Sequence, residues 1–276
     1  MRAVRVAVVG LTALLLVAAG FSSVASAQTA WAPAGTATIH PGVQTITAGG
    51  QCTANFVFTS GSNVYLGQAA HCATTGGSLD TDGCDTPSLP LGTPVAVEGA
   101  TRPGVLAYSS WLTMQQRGED DPDACAFNDF ALVRLHPADV GRVNPSVPVL
   151  GGPVGLGGMP SPGQQVFSFG SSSLLMGLGA LGPMSGLNLG TSGAGWAHTV
   201  LALRPGLPGD SGSGVLDSAG RAVGVLTTLR LLPIPLTNGV ANLSKVLGYL
   251  NAYGPFDVAL APGTVPFAGN RVLLGT

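Results

Sequence analysis

The chain has 276 residues, a formal net charge of −2, 9 % charged and 45 % hydrophobic residues, and 42 glycines with 21 prolines. With Lys245 as its only lysine and ten scattered arginines, it lacks the clustered basic charge that nucleic-acid binding or a basic membrane-surface helix requires. Disorder needs low hydrophobicity and high net charge, so the composition reads as a loop-rich globular protein in which glycine and proline serve turns.

In chain order, Arg2 and Arg5 precede an apolar run over residues 6–20, and Ala25-Ser26-Ala27 has the small-x-small form of a cleavage site. Residues 1–27 therefore read as a secretory signal peptide and not a membrane span. No later run of 18 apolar residues lacks Gly, Pro or polar breaks. Residues 28–49 form an N-terminal segment with room for a short pro-segment. Secretion makes the four cysteines, Cys52, Cys72, Cys84 and Cys125, a framework of two disulfides with three possible connectivities. A Cys₄ zinc site is disfavoured by the lack of any Cys-x-x-Cys pair.

Short apolar runs follow at 54–59, 64–66, 95–97, 130–134, 166–169, 199–203, 213–216 and 222–226, separated by turns rich in Gly, Pro, Asp and Ser. This spacing predicts an all-β sandwich or barrel. One helix is expected over 242–253, where Leu243, Val246, Leu247 and Leu250 recur at helical spacing. Two Gly-rich stretches, 151–158 and 174–195, are expected to be long surface loops.

Three segments carry chemistry: Ala69-Ala70-His71-Cys72, Asn128-Asp129-Phe130-Ala131-Leu132 and Gly209-Asp210-Ser211-Gly212-Ser213-Gly214. Each alone has a bland reading, as a structural histidine, a turn aspartate and a tight turn. Together they supply a nucleophile, a proton acceptor and a carboxylate that holds the imidazole's tautomer. The backbone N–H groups of Gly209 and Ser211 suit a developing oxyanion. Chain order narrows the choice. No histidine follows Ser211 and no acidic residue precedes His71, so only the order His71, Asp129, Ser211 survives among the three triad orders.

With these motifs the sequence resembles the chymotrypsin-like (trypsin-fold) serine peptidases of secreted actinobacterial type, over roughly residues 50–251. The resemblance implies two packed six-stranded antiparallel β-barrels, a short C-terminal helix and a cleft between the barrels. His71 and Asp129 would come from the first barrel and Ser211 from the second. It implies a Cys52–Cys72 disulfide beside the histidine, a peptidase domain over 50–253 and a C-terminal extension over 254–276. It also implies a specificity position at Pro205, a groove strand ending at Thr227, and a pocket-closing segment Asn238-Gly239-Val240. With no Asp at Pro205, cleavage after Lys or Arg is not expected. Leu207, Leu226 and Leu229 favour small or hydrophobic side chains, and Leu229 narrows the pocket.

In the family Asp210 pairs either with a newly released N-terminus, for which Ile39 is a weak candidate here, or with an internal arginine, here Arg142 or Arg204. If Cys84 pairs with Cys125, the acidic residues Asp80, Asp82, Asp85, Glu119, Asp120, Asp121 and Asp123 are drawn together. A Ca²⁺ ion would relieve their repulsion, with Asp80, Asp82, Asp85, Asp121 and Asp123 as ligands. Two solvated acidic loops are the preferred reading. The expectation is a secreted monomeric serine endopeptidase acting on polypeptides, without cofactor, nucleic acid or membrane partner. A secreted esterase with the same triad and a non-catalytic binding relative are the alternatives.

Overall fold

The structure, a computed structural model, describes residues 30–48, 50–75, 82–178, 181–230, 234–235 and 237–269. The leader expected over 1–27, Gly49 and Asp80 lie outside these residues. No helix among them is long and apolar enough to cross a membrane.

The first half of the chain builds one antiparallel sheet from β1 (Gln44–Thr47), β2 (Gly50–Thr53), β3 (Val57–Ser60), β4 (Asn63–Gln68), β5 (Pro94–Val97), β6 (Gly104–Ser109) and β7 (Ala131–Arg134). A late strand, β14 (Ala259–Leu260), joins it, giving the order β14-β3-β4-β7-β6-β5-β1-β2. β2 runs into β3 through residues 54–56 without losing its bonding. The Ala54 N–H donates to Val43, Asn55 donates to Gly67, and Gly67 donates to Phe56. One bent strand thus pairs with β1 at its start and β4 at its end, and the sheet curls onto itself around Phe56, Phe58, Leu66, Tyr108, Phe130 and Leu132, all buried.

The second half is a closed six-stranded barrel in the order β10-β13-β12-β11-β8-β9. Its strands are β8 (Gln165–Phe169), β9 (Pro183–Ser192), β10 (Ala197–Ala202), β11 (Gly214–Asp217), β12 (Ala222–Arg230) and β13 (Thr237–Asn242). Val166, Val200, Val215, Val223 and Val240 form its own core cluster.

The expected helix is present as α3 (Leu243–Tyr253), capped by the Asn242 side chain on the Ser244 N–H. Two helices go beyond the sequence reading: α1 (Ser110–Arg117), ended by Gly118 in the left-handed region (φ 63°), and α2 (Pro122–Phe127). α3 closes over them, with the Tyr249 hydroxyl donating to Glu119 (2.9 Å) and the Arg117 guanidinium 3.5 Å from the Tyr253 ring centre.

One expectation is corrected. Residues 174–195 are not a surface loop throughout, because β9 occupies ten of them at the heart of the second barrel. β9 buries Met184, Ser185, Gly186 and Asn188 while exposing Leu187 and Leu189. Over residues 185–189 the leucines face outward and Ser185, Gly186 and Asn188 inward, which inverts the usual two-residue pattern. Gly186 is needed there, since a Cβ would lie 2.6 Å from the Leu201 carbonyl oxygen.

Both flanking segments pack onto the barrels. Ile39 is fully buried and donates its N–H to the Arg142 carbonyl. At the other end, β14 pairs with β3, Val265 accepts from the Gly152 N–H, and the Phe267 ring meets Phe167 edge-on in the second barrel at 5.6 Å.

Candidate active site

β4 ends at Gln68, and a single 3₁₀ turn, Ala70–Ala73, carries His71 out of it. The Cys52–Cys72 disulfide, with a Cα–Cα distance of 6.1 Å, anchors that turn to β2. Asp129 sits between α2 and β7, nearly buried at 3 % exposure. Its segment is fixed by Ser110, whose hydroxyl donates to the Asn128 carbonyl (2.5 Å) and accepts the Phe130 N–H (3.1 Å). The Cys84–Cys125 disulfide lies just upstream.

The Asp129 carboxylate grips His71 twice. One oxygen lies 2.6 Å from Nδ1, and the other accepts the backbone N–H at 2.9 Å. This geometry places the ring proton on Nδ1 and leaves Nε2 as an acceptor. Burial of the ring disfavours its charged form, but the neighbouring Asp129 charge and hydrogen bond outweigh that and raise the His71 pKa above 6.5.

Ser211 is half-buried in the turn before β11. Its carbonyl accepts the Thr53 N–H (2.8 Å), so the serine is tied to the residue beside Cys52. Gly212 (φ 90°) lies so close to the strand leading to His71 that a Cβ would meet the Thr53 carbonyl oxygen at 2.5 Å and the Ala69 nitrogen at 2.9 Å. The Ser211 turn therefore packs directly on the backbone that leads to His71. Gly209 adopts φ 97°, which favours glycine. Its carbonyl accepts the Thr53 hydroxyl at 2.7 Å. Among the described residues, the N–H groups of Gly209 and Ser211 have no hydrogen-bond acceptor.

Asp210 is fully buried. One carboxylate oxygen accepts the Ser172 N–H (2.9 Å), and the other accepts the Leu207 N–H and the Arg204 guanidinium (both 2.9 Å). The choice between internal arginines thus resolves to Arg204, since Arg142 instead lies 3.5 Å from Asp139. In the intact chain the Ile39 N–H is bonded to the Arg142 carbonyl, and Asp210 is paired with Arg204.

Of the residues expected at the pocket, Thr227, Leu229 and Gly239 lie on the paired strands β12 and β13. Register shifts between Leu226 and Thr228, so Thr227 bulges out of the β12–β13 ladder and donates its hydroxyl to the Gly239 carbonyl at 3.2 Å. Leu229 pairs with Asn238 and is 39 % exposed, and Pro205 is half-buried. Asn238, in the expected pocket-closing segment, makes two hydrogen bonds of its own. Its buried amide accepts the Gly206 N–H (2.9 Å) and donates to the Thr228 carbonyl (3.2 Å). A Cβ on Gly206 would lie 2.9 Å from Leu226 and 3.1 Å from Asn238, so these two side chains press against Gly206.

The acidic loops have other partners. Asp121 caps α2 through the Asp123 N–H, Glu119 accepts the Asp120 and Asp121 N–H groups, Asp82 accepts the Cys84 N–H, and Asp85 is exposed. Among the described residues no three carboxylates converge. The two groups with metal-like spacing, Cys52–His71–Cys72 and Asp82–Cys84–Cys125, both have their cysteines joined as disulfides.

No protein-family model matches the sequence, and no curated protein sequence matches it. Among solved structures, protease A of Thermobifida fusca superposes with a TM-score of 0.52 at 18 % identity, over 82 % of this chain and 99 % of that one. A chymotrypsin of Cellulomonas bogoriensis superposes with a TM-score of 0.50 at 19 % identity, over 81 % of this chain and 98 % of that one. The fold is the chymotrypsin-like one.

Proposed function

We propose that the protein is an exported serine endopeptidase that uses His71, Asp129 and Ser211. The observation that carries this reading is the double grip of Asp129 on His71, set beside a serine whose turn packs on the same strand. Ser211 Oγ attacks the scissile carbonyl carbon while its proton passes to His71 Nε2. Asp129 steadies the imidazolium. The carbonyl oxygen, now an anion, is received by the Gly209 and Ser211 N–H groups. The C–N bond breaks as His71 returns the proton to the leaving amine, and an acyl-enzyme remains. Water, deprotonated by His71, then releases the acid and restores Ser211.

The Arg204–Asp210 pair supports a site that forms without a new N-terminus. Leu226 and Asn238, pressed against Gly206, support small P1 side chains, such as alanine. Export is supported by the leader and the two disulfides.

A fluorophosphonate probe tests the reading. It should label the wild type and not Ser211→Ala. Labelling that persists in the mutant, or an unlabelled wild type, would overturn it. A panel of matched peptide and ester substrates then separates peptidase from esterase.

A further inference from the structure

We infer that the Ser172 hydroxyl is a positioning group for the oxyanion site, holding the Pro208–Gly209 peptide so that the Gly209 N–H faces the cleft. This rests on the serine peptidase reading above. In a planar trans peptide, the carbonyl of one residue and the N–H of the next point in opposite directions. Whatever fixes the Pro208 carbonyl therefore fixes the Gly209 N–H. The Ser172 hydroxyl donates to that carbonyl at 2.5 Å.

Ser172 is itself held on every side. It is 2 % exposed, its N–H donates to the Asp210 carboxylate (2.9 Å), and its hydroxyl oxygen accepts the Leu174 N–H (3.2 Å). The preceding residue is pinned across the cleft. The Ser171 carbonyl accepts from both Gln44 and Gln51 side chains (2.9 Å each), and its N–H donates to Thr53 (3.2 Å). The first barrel thus sets the position of the Ser172 hydroxyl.

The tether is needed because Gly209 lacks a side chain and sits at φ 97°, where glycine turns with little steric resistance. Pro208 is exposed, so its released carbonyl would find water. The opposite face of the peptide would then turn toward the cleft, presenting an acceptor where a donor is required. Asp210 and Arg204 fix the carboxylate beneath Ser211. Ser172 links that carboxylate to the oxyanion donor through its N–H and its hydroxyl.

The test compares Ser172→Ala and Ser172→Thr with the wild type on a peptide p-nitroanilide with alanine at P1. Loss of one oxyanion donor costs about 10²–10³ in kcat, and a tether whose loss leaves the donor partly aligned should cost about 10- to 100-fold. The expected result is that loss for Ser172→Ala with KM within about twofold, a melting temperature lowered by only a few degrees, and recovery in Ser172→Thr. A wild-type kcat in Ser172→Ala, or a defect confined to KM, overturns the inference.

Should the wild type neither hydrolyse peptides nor take the probe, the peptidase reading fails on its own. Crystal structures still decide the positioning role. A Pro208–Gly209 peptide turned over in Ser172→Ala upholds it, and an unmoved one refutes it. If Ser172→Ala does not fold, Ser172→Cys, with similar bulk and a weak donor, undergoes the same measurements.

Discussion

The two halves of the site are held by different means. On the first barrel, His71 adjoins a bridged cysteine and Asp129 lies four residues beyond one. The bridges span 20 and 41 residues, which in the chain-entropy model contributes about 3 and 4 kcal/mol. On the second barrel, the Ser211 turn has no cysteine. Its shape comes from Asp210, a buried carboxylate surrounded by Arg204, Ser172 and Leu207, and from Thr53 reaching across the cleft. Covalent links constrain the histidine side whatever the solvent does. The serine side depends on a network in which every partner must be present.

The largest effect should come from the chemistry rather than from either support. Asp129→Asn keeps the shape but offers His71 the wrong hydrogen-bonding partner, and should lower kcat about 10⁴-fold with the fold intact. A loss below tenfold would remove Asp129 from the proposed triad. The supports themselves are compared by unfolding in urea. Arg204→Ala leaves the Asp210 charge buried without its cation and should cost about 3–5 kcal/mol. The double variant Cys52→Ser/Cys72→Ser should cost about 3 kcal/mol. Adding Asp210→Asn to Arg204→Ala should return part of the loss. If it returns none, the network is not organised around that charge.

This contrast also explains what could be read from the sequence. The covalent half was legible, because cysteines beside His71 and before Asp129 are visible as letters. Arg204 could be named only as one of two candidates, because an ion pair leaves no spacing signature. Ser172 gave no signal at all, and Asn238 was named only as part of a segment, without its bonding role. One is a serine in a Gly-Ser-Ser-Ser stretch, and the other an asparagine in a turn-like tripeptide. Their roles arise only when two distant segments are brought together. β9 escaped notice for a related reason, since its leucines face solvent across from Leu201. The helices α1 and α2 had ordinary signals, Asp121-Pro122 at a start and Gly118 at an end, which the acidic run obscured.

One histidine in each half has a shifted pKa, and the two respond to pH in opposite senses. His71 is raised above 6.5, since the Asp129 charge and hydrogen bond outweigh the opposing effect of burial. Its contribution to stability is complete below 6.5 and is lost as pH rises through its folded value. The acid limb of kcat/KM, along which activity rises as His71 loses its proton, should accordingly have its midpoint above pH 6.5. His198, on β10, is pushed down to about 4 by burial. Its Nδ1 meets Asn188 at 3.0 Å, and its buried Nε2 has no hydrogen-bond partner among the described residues. A depressed histidine stabilises the fold fully above 6.5, and this stability is lost between pH 6.5 and about 4. The gap corresponds to about 3 kcal/mol. Urea midpoints across that range should show the loss in the wild type and a flatter profile in His198→Gln. Parallel profiles would mean that His198 charges in place without cost.

The smallest effect concerns what enters the second barrel's side of the cleft. The Asn238 amide spans from Gly206 to Thr228 and presses, with Leu226, against Gly206. Truncation in Asn238→Ala opens space there but leaves the Gly206 N–H unpaired at a buried position, so some stability is lost together with the barrier. A methylene's worth of pocket changes selectivity by about 1–3 kcal/mol. The ratio of kcat/KM for leucine over alanine at P1 should therefore rise about tenfold, while the Asp129–His71 pair and its pH limb stay as in the wild type. An unchanged ratio would place the floor of the pocket elsewhere, with the 39 % exposed Leu229 the next residue to truncate. A rise confined to Leu229→Gly would mean that the pocket is limited at its mouth and not at its base.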